Sequence, residues 1–576
     1  MDMVTLTIDG QQVQMPQDST ILDAAEKVGV HIPTLCHHPD QSIKAVCRVC
    51  VVEVEGSPLL QPACAFPVAE GMVVKTSTPA VREARRVVVE LMLSRHPEDC
   101  LQCERNLNCE LQEVAENLGI RKVRFDHEDR NIPLDESTPS MVRDMDKCIL
   151  CRRCVTVCDE TQAANVLYPI NRGSDTMIST AVEDDLMEVS CALCGQCINV
   201  CPTGAIREKD DTNMVWEALA DPDKHVVVQT APAIRVSIAE EMDILPGEAT
   251  VGKMVSSLRR LGFDKVFDTN FTADLTIIEE GHEFLERLEK GKTMPMITSC
   301  SPGWIKYIEH FYPDMLANLS TCKSPQQMFG ALAKTFYAEK EGIDPKDIYS
   351  VSIMPCTAKK FEATRSEMAD SGYQDVDAVL TTRELGRMMR EAGIQFEELP
   401  DEKFDEPFGI TTGAGAIFGS TGGVMEAALR TVYEVVTGEE LEKLDFEEVR
   451  GLAGIKEATV QVGDLPVKVA VAHGLGNAKK ALDLIAEGKA DFQFLEIMAC
   501  PGGCIGGGGQ PIPTTNEIRQ KRIDALYKHD QSLELRKSHE NPAVKALYDE
   551  FLEEPLGEKS HKLLHTHYTK RARYKK

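Results

Sequence analysis

The sequence predicts small cysteine-rich α+β modules up to about residue 210, followed by one large α/β domain. Three observations support this. The chain has 576 residues, enough for about four domains of ~150 residues each. Of its 20 cysteines, 15 precede residue 210. Beyond that point, long apolar strand-like runs such as HVVVQTAP and YSVSIMP alternate with amphipathic helical stretches.

The composition narrows the class of protein. A hydrophobic content of 43% with 27% charged residues is typical of a globular protein. The net charge of -29 makes nucleic acid and anionic membranes poor partners. The start MDMVTLTIDG lacks the charged and apolar regions of a signal peptide, so we expect a cytoplasmic protein. Thiols rarely pair in that compartment, which favours metal ligation for the clustered cysteines.

Residues 1–80 are predicted to form a plant-type, ferredoxin-like α+β domain. The alternating strand VTLTI leads through a DG turn to a helix over residues 21–28. Four cysteines in a C-x10-C-x2-C-x13-C pattern suit a 2Fe-2S cluster, although the first interval exceeds the plant-type spacing. Zinc needs the same thiolates and stays an alternative. The four ligands are Cys36, Cys47, Cys50 and Cys64.

Residues 81–138 are predicted to hold a 4Fe-4S cluster between helical stretches. The pattern is H-x3-C-x2-C-x5-C, formed by His96, Cys100, Cys103 and Cys109. A histidine before a CxxC motif is often an incidental surface group. A four-iron cluster needs four protein ligands, however, and this segment has three cysteines. The imidazole is therefore the natural fourth ligand.

Residues 139–210 carry the most specific cysteine pattern. Two C-x2-C-x2-C-x3-C runs occur, the second followed by proline, as in two-cluster bacterial ferredoxins. The fourth cysteine of each run ligates the other run's cluster in that arrangement. Counting the earlier modules, the chain should hold one 2Fe-2S and three accessory 4Fe-4S clusters, a path for single electrons. The two predicted ligand sets are Cys148, Cys151, Cys154 and Cys201, and Cys158, Cys191, Cys194 and Cys197.

In residues 211–576, cysteines recur where predicted strands end. Chemistry in α/β proteins concentrates at the carboxyl ends of parallel strands. The segments are TSCSPGW with Cys300, MPCTAKKFE with Cys356, and EIMACPGGCIGGGGQP with Cys500 and Cys504. A glycine-rich stretch, TGAGAIFGSTGG, does not match a dinucleotide-binding fingerprint, so no nicotinamide site is predicted.

These three segments resemble the signature loops of the iron-only (FeFe) hydrogenases, and the resemblance extends over essentially the whole chain. It implies reversible oxidation of dihydrogen to protons and electrons. It also implies an active-site cluster: a four-iron cubane joined through a cysteine to a di-iron unit with carbon monoxide, cyanide and a bridging dithiolate. Implied electron partners are ferredoxin, or flavin- and NADH-binding subunits with further iron-sulfur clusters, as in multisubunit, electron-bifurcating members.

The resemblance assigns Cys356, Cys500 and Cys504 to the cubane, with Cys504 bridging to the di-iron unit. The first loop departs from the family pattern TSCCPxW, because an ungapped register puts Cys300 on the proton relay and Ser301 on the ligand position. In one interpretation, Cys300 shifts to ligate iron while Ser301 or water handles the proton. In the other, Ser301 ligates as an alkoxide or the position stays open. Thiolate is the softer ligand, which favours Cys300 as the cubane ligand.

Further family positions are filled. Lys359 resembles the donor to a cyanide, although an exposed basic pair with Lys360 is the plain alternative. Met354 and Met498 resemble thioethers that pack on the cluster, although methionine in a strand is usually a core residue. The remaining pocket positions are Pro232, Ala233, Ser324, Gln326 and Phe418.

A proton path is predicted on the helix within DLTIIEEGHEFLERLEKG. Glu280, Glu283 and Arg287 fall at i, i+3 and i+7 on one stripe. Read alone, this is a solvated stripe with a Glu283 to Arg287 ion pair. The resemblance makes it the family's proton path, with Ser320 as the hydroxyl between the carboxylates. Cys322 is expected to be an ordinary buried residue.

Two other functions fit parts of the sequence. One is a non-catalytic electron-transfer or cluster-assembly protein, because relatives sharing the four C-terminal cysteines lack hydrogen chemistry. The other is a hydrogen sensor, disfavoured because no sensory segment is attached. Lys359 and the carboxylate stripe argue against an assembly protein, since a scaffold needs neither a cyanide donor nor a proton path.

Overall fold

The computed structural model describes residues 2–441, 444–462 and 465–573. Its first elements are β1 (Met3–Ile8), β2 (Gln11–Pro16), α1 (Ile21–Lys27), β3 (Val51–Val54), β4 (Gln61–Pro62) and β5 (Val73–Lys75). They form a five-stranded sheet in the order β2-β1-β5-β3-β4. The β1–β2 hairpin turns at Asp9 and Gly10, whose φ angles of 47° and 86° suit such a tight turn. Thr20 caps α1 in a capping box with Asp23.

Two helices follow, α2 (Pro79–Leu93) and α3 (Glu110–Asn117). Thr78 caps α2, and Pro79 occupies its first turn, where a missing N–H costs nothing. The Arg85 guanidinium donates to the carbonyl of Val51 at 2.8 Å and fastens α2 to the first sheet. The loop between α2 and α3 carries the predicted ligands of the second module.

The third segment pairs its first strand with its last. Its elements are β6 (Met141–Arg143), α4 (Arg153–Thr156), β7 (Tyr168–Ile170), β8 (Met177–Ser179), α5 (Gln196–Asn199) and β9 (Ile206–Glu208), and helix α6 (Thr212–Ala220) follows the segment. Strand β6 pairs antiparallel with β9, and β7 with β8. The two cysteine runs share a backbone shape: φ is positive at Leu150 and Arg152 in the first and at Leu193 and Gly195 in the second. The sequence repeat is therefore also a structural repeat.

The rest of the chain is an α/β domain with two four-stranded sheets. Its elements are β10 (His225–Thr230), α7 (Val251–Leu261), β11 (Lys265–Asp268), α8 (Thr269–Lys290), β12 (Met296–Ile297), α9 (Pro302–Phe311), α10 (Pro325–Leu332), α11 (Ala338–Glu341), β13 (Ile348–Met354), α12 (Ala358–Ala363), β14 (Ala378–Thr381), α13 (Thr382–Glu391), α14 (Gly413–Ile417), α15 (Gly423–Thr437), β15 (Ile455–Val462), β16 (Leu465–His473), α16 (Leu475–Ala486), β17 (Phe494–Met498), α17 (Asn516–Ser532), α18 (Pro542–Leu547) and α19 (Glu558–Leu564).

The first sheet has the order β11-β10-β13-β14 and the second β12-β17-β16-β15. All pairings are parallel except that of β15 with β16. The apolar runs thus became buried parallel strands, as expected. Helix α8 packs against α10, α14 and α15, so even its polar positions are largely buried.

Strands β10, β13 and β17 each end beside a loop with predicted site residues. Carboxyl ends of parallel strands share an edge, which brings loops distant in sequence together. Among the described residues, no helix is both long and apolar enough to cross a bilayer.

Candidate active site and cysteine groups

The loops after β10, β12, β13 and β17 line a common cavity. Its walls are mostly apolar, with thiols and one ammonium group converging on it. Two predicted pocket residues, Ala233 and Ser324, are not part of the lining, although both are buried nearby. The predicted residues that line the cavity are Pro232, Cys300, Ser301, Gln326, Met354, Cys356, Lys359, Phe418, Met498, Cys500 and Cys504.

The thiols of this cavity suit a metal cluster. Burial raises the pKa of Cys500 well above its usual range, and the neighbouring Cys356 and Cys504 raise it further. Closely spaced buried thiolates repel one another, so a cationic core that neutralises them is the favourable occupant. Soft sulfur ligands select iron-sulfur clusters. The donor set therefore fits the cubane that the resemblance implies.

Cys300 and Ser301 have different surroundings. Burial raises the pKa of Cys300, and the charges that act on it next include Glu280 and Cys504. The Ser301 hydroxyl instead accepts a hydrogen bond from the backbone N–H of Ala499 at 3.2 Å. Cys300 is thus in the electrostatic range of the carboxylate stripe, while Ser301 is turned toward the loop of Cys500.

Lys359 is buried and hydrogen-bonded. Its Nζ donates to the Cys300 carbonyl at 3.2 Å and to Glu362 at 2.8 Å. Glu362, which the sequence did not single out, also accepts from Ser324 at 2.8 Å and Gln326 at 3.2 Å. The alternative of an exposed basic pair is wrong, because Lys360 is also buried, between Asp211 and Glu384.

The carboxylate stripe of α8 is buried too. Glu280 is 3% exposed, and Glu283 and Arg287 are each 6% exposed, so the stripe is not solvated. Burial raises the pKa of Glu280 to about 8. Ser320 donates to Glu283 at 3.0 Å and is close enough to Glu280 to oppose the effect of burial on its pKa, so the hydroxyl lies near both carboxylates. Arg287 donates to Glu283 at 2.6 Å on the other side.

The two cysteine runs of the third segment interlace. One cavity is lined by Cys148, Cys151, Cys154 and Cys201. Another is lined by Cys158, Cys191, Cys194 and Cys197. Each cavity takes three cysteines from one run and the fourth from the other. Each cysteine run therefore contributes to both groups.

His96 lines the same cavity as Cys100, Cys103 and Cys109. Its Nδ1 atom is buried and has no hydrogen-bond partner among the described residues. A buried polar atom without a partner is costly, and a metal bond would satisfy it. This arrangement fits a histidine ligand.

The first module gathers its four thiols. Cys50 Sγ and Cys64 Sγ are 3.4 Å apart. Hydrogen bonds from Cys47 and then Cys64 lower the pKa of Cys36, which favours a thiolate. Each of the 20 cysteines is a free thiol.

The second cysteine run touches the active-site loops directly. Thr357 donates to the Leu193 carbonyl at 2.9 Å, and Gln196 donates to the Gly506 carbonyl at 2.9 Å. At Gly195, an added Cβ would lie 2.9 Å from the Cα of Gly508. The backbones of the two loops are therefore in contact, and the cysteine group of this run is next to the active-site cavity.

Family comparisons match the whole arrangement. The iron only hydrogenase large subunit, C-terminal domain, matches residues 224–508, and the iron hydrogenase small subunit matches residues 516–571. A 2Fe-2S iron-sulfur cluster binding domain matches residues 1–79. The NADH-ubiquinone oxidoreductase-G iron-sulfur binding region matches residues 85–124, and the ferredoxin-like domain of NADH-quinone oxidoreductase subunit 3 matches residues 138–207.

Individual relatives agree. The NADP-reducing hydrogenase subunit HndD of Solidesulfovibrio fructosivorans is 53% identical, and the match covers 100% of both chains. Iron hydrogenase 1 of Clostridium pasteurianum is 41% identical over 99% of this chain and 100% of its own. A solved FeFe-hydrogenase from Chlamydomonas reinhardtii is 47% identical with a TM-score of 0.58, covering 63% of this chain and 100% of that one. This chain is a member of the iron-only hydrogenase family, with ferredoxin-like iron-sulfur domains ahead of the hydrogenase catalytic domain.

Proposed function

We propose that this enzyme oxidises dihydrogen reversibly at the cavity between the two sheets and passes the electrons through accessory clusters to an NAD(P)-linked partner. One observation carries the proposal: a buried thiol cavity lies between a second cysteine group and a buried carboxylate stripe. Electrons and protons need separate routes from a hydrogenase site. The protein has a candidate for each.

Cys356, Cys500 and Cys504 are the proposed cubane ligands, with Cys504 as the bridge. When bound, the di-iron unit of the active-site cluster supplies the chemistry that cleaves and forms the H–H bond. The protein holds ligands in place and keeps water out with Phe418, Met354 and other apolar side chains. Lys359, fixed by Glu362, presents an ammonium donor to the cavity.

For the first loop, we propose that Cys300 transfers the proton and Ser301 occupies the fourth cubane position. Ligand softness favoured the reverse assignment. Support for the present one comes from the influence of Glu280 on Cys300 and from the Ser301 hydrogen bond to the loop of Cys500. Cys300→Ala should then keep its cubane iron and turn over slowly. Loss of that iron would instead make Cys300 the ligand.

The proton route continues from Cys300 through Glu280 and Ser320 to Glu283. The raised pKa of Glu280, about 8, keeps its carboxyl protonated near neutral pH, where it can both give and take a proton. Ser320 can relay a proton between the carboxyl groups by turning its hydroxyl. Arg287 is permanently charged and fixes Glu283 by hydrogen bonding.

The electron route consists of four accessory clusters. We propose a plant-type 2Fe-2S domain at residues 1–80, a His/Cys3 4Fe-4S domain at 81–138, a bacterial-type domain with two 4Fe-4S clusters at 139–210, and a catalytic domain at 211–576. Support comes from the interlaced cavities and the unpartnered Nδ1 of His96. Complete reconstitution should load each of these groups.

The proposed partner is a flavin- and nicotinamide-binding subunit with further iron-sulfur clusters. The relative of 53% identity is named as a subunit of an NADP-reducing hydrogenase, and two regions match iron-sulfur regions of NADH-linked oxidoreductases. Ferredoxin is a second candidate. Hydrogen-dependent NAD(P) reduction by the co-purified complex, but not by this chain alone, would support the subunit.

Infrared spectroscopy of the anaerobically matured protein tests the central proposal. Bands of metal-bound carbon monoxide and cyanide are expected, together with hydrogen uptake. A matured protein that holds its accessory iron but lacks these bands would be an electron-transfer or cluster-assembly protein. Lys359→Ala should shift the cyanide bands, whereas a Lys340→Ala control, which removes an exposed lysine paired with Glu550, should not.

A further inference from the structure

The outer end of the proposed proton path is closed by Arg287. This residue is 6% exposed, and its guanidinium donates to the Leu319 carbonyl at 2.6 Å as well as to Glu283. Arginine stays protonated in proteins and cannot take up a proton from a neighbour. A proton that reaches Glu283 therefore needs another group through which to leave.

A histidine supplied by the C-terminal segment lies beside Glu283. His565 is 4% exposed, and one of its ring nitrogens lies within 4.8 Å of a Glu283 carboxylate oxygen. One hydroxyl or one water molecule spans such a gap with two hydrogen bonds. The Thr321 hydroxyl is 2.8 Å from His565 Nδ1, and the Thr321 N–H donates to Glu283 at 3.0 Å.

The other ring nitrogen is held by a second carboxylate. His565 Nε2 and Glu279 are 3.1 Å apart, and Glu279 also accepts from Tyr548 and Ser560. Burial raises the pKa of Glu279, but the hydrogen bonds from His565, Ser560 and Tyr548 outweigh it and lower the pKa overall. An ionised Glu279 orients the imidazole through this contact, as a carboxylate does in catalytic triads.

The ring also lies close to solvent. His561, which is exposed, stacks on His565 with ring centroids 4.6 Å apart and an interplanar angle of 5°. Backbone bonds hold the segment in place, since the Thr566 N–H donates to Thr321 and the Lys323 N–H to Leu564, each at 2.7 Å. The C-terminal segment thus covers the path and places the buried His565 ring against an exposed one.

We propose that His565 is a proton-transfer residue that exchanges protons between Glu283 and solvent through a branch separate from Arg287. In hydrogen oxidation, the Glu283 carboxyl gives its proton through the intervening hydroxyl or water to Nδ1. The imidazolium, whose Nε2–H stays paired with Glu279, then gives that same Nδ1 proton to a water molecule that enters beside the exposed His561. The ring returns to its neutral form, so one proton enters and one leaves. Hydrogen production reverses the sequence.

This inference rests on the proposed function. The groups that face His565 are Glu279 and Glu283 from α8, Cys322 from the segment after Ser320, and His561 from its own helix. Tyr548 reaches it through Glu279. Glu283 and Glu279 are the carboxylates on the two sides of the ring. Imidazole is the side chain suited to proton exchange near neutral pH.

His565→Gln tests the branch in the matured holoenzyme, because glutamine can bond Thr321 and Glu279 but cannot carry a proton. We expect hydrogen oxidation with a viologen dye to fall about 100-fold at neutral pH, at the lower end of the usual range for loss of an acid–base group. The pH–rate profile should change shape, and added imidazole should restore rate in His565→Ala. Iron content, infrared bands and thermal midpoint should not change. His225→Gln, at a half-buried histidine bonded to Tyr337, is the matched control.

Three outcomes would overturn the branch. One is a wild-type rate and pH profile in His565→Gln with intact infrared bands, which would leave the hydrogenase function standing. Another is a rate that falls in parallel with iron content or melting temperature, which would make His565 purely structural. The third is a slow His565→Ala that imidazole does not restore. Missing carbon monoxide bands in the parent enzyme would instead refute the proposed function.

Discussion

The Gln162 side chain donates a hydrogen bond to the sulfur of Cys194 at 3.4 Å. The same Nε2 donates to the Ala499 carbonyl at 3.0 Å, beside the predicted ligand Cys500. One amide thus connects the last accessory cysteine group with the active-site loop. Hydrogen bonds to sulfur raise the reduction potential of iron-sulfur clusters, because they stabilise the more negative reduced state.

Gln162→Leu should therefore make the cluster held through Cys194 harder to reduce. A hydrogen bond of about 1 kcal/mol corresponds to about 40 mV for a one-electron couple, so we expect a shift of that size to more negative potential. Electron paramagnetic resonance during an anaerobic redox titration measures it. The potentials of the other accessory clusters serve as internal controls, and an equal shift in all of them would contradict the assignment.

A second prediction concerns His96. Replacement of histidine by cysteine adds a negative charge to the cluster, and histidine ligands are known to give higher potentials than cysteine. His96→Cys should keep four irons in this module and lower its potential, whereas His96→Ala should lose the cluster or leave it labile. Iron counts and redox titration distinguish these variants. Full iron and an unchanged potential in both would exclude His96 as a ligand.

Glu280 should make stability depend on pH. Its unfolded carboxyl ionises near the model-compound value of 4.5, whereas the folded one has a pKa of about 8. Between these values the folded state holds a proton that the unfolded state has released, so the free energy of unfolding falls as pH rises. The slope reaches about 1.4 kcal/mol per pH unit. Anaerobic denaturant titrations should show a flatter dependence in Glu280→Gln; equal slopes would mean that Glu280 is ionised when folded.

The sequence predicted the cysteine groups well because ligand spacing is a local property. Each accessory set lies within about 55 residues. The parallel strands were also predictable, since buried strands are continuous apolar runs. The burial of the carboxylate stripe on α8 was harder to predict, because an interpretation from helical periodicity assumes that only one face of a helix is buried. Several helices cover α8, so Glu280 is buried although its pattern resembles a solvated stripe.

Residues that act through long-range contacts left no sequence signal. Gln162 and Ala499 are 337 positions apart, and His565 and Glu279 are 286 positions apart. Glu362 follows Lys359 by three residues, but an i, i+3 pair on a helix is ordinarily a surface ion pair. The roles of such residues depend on which loops meet, and that becomes known only when the sheets are assembled.

A glycine next to the His96 group provides the last prediction. A Cβ added at Gly204 would lie 2.8 Å from Cys103 Sγ, closer than real Cβ atoms approach their neighbours. The third segment therefore needs glycine here to pack against the second module's cysteine loop. Gly204→Ala should displace Cys103 and cost about four irons per chain, with the remaining clusters retained, because a 4Fe-4S cluster is rarely stable on three ligands. In the control Gly281→Ala, the new Cβ meets only Val432 at an ordinary 3.5 Å, so its iron content should match the parent. If Gly204→Ala kept all its iron and the spectrum of the parent protein, Cys103 would not be a ligand of the cluster in the His96 group.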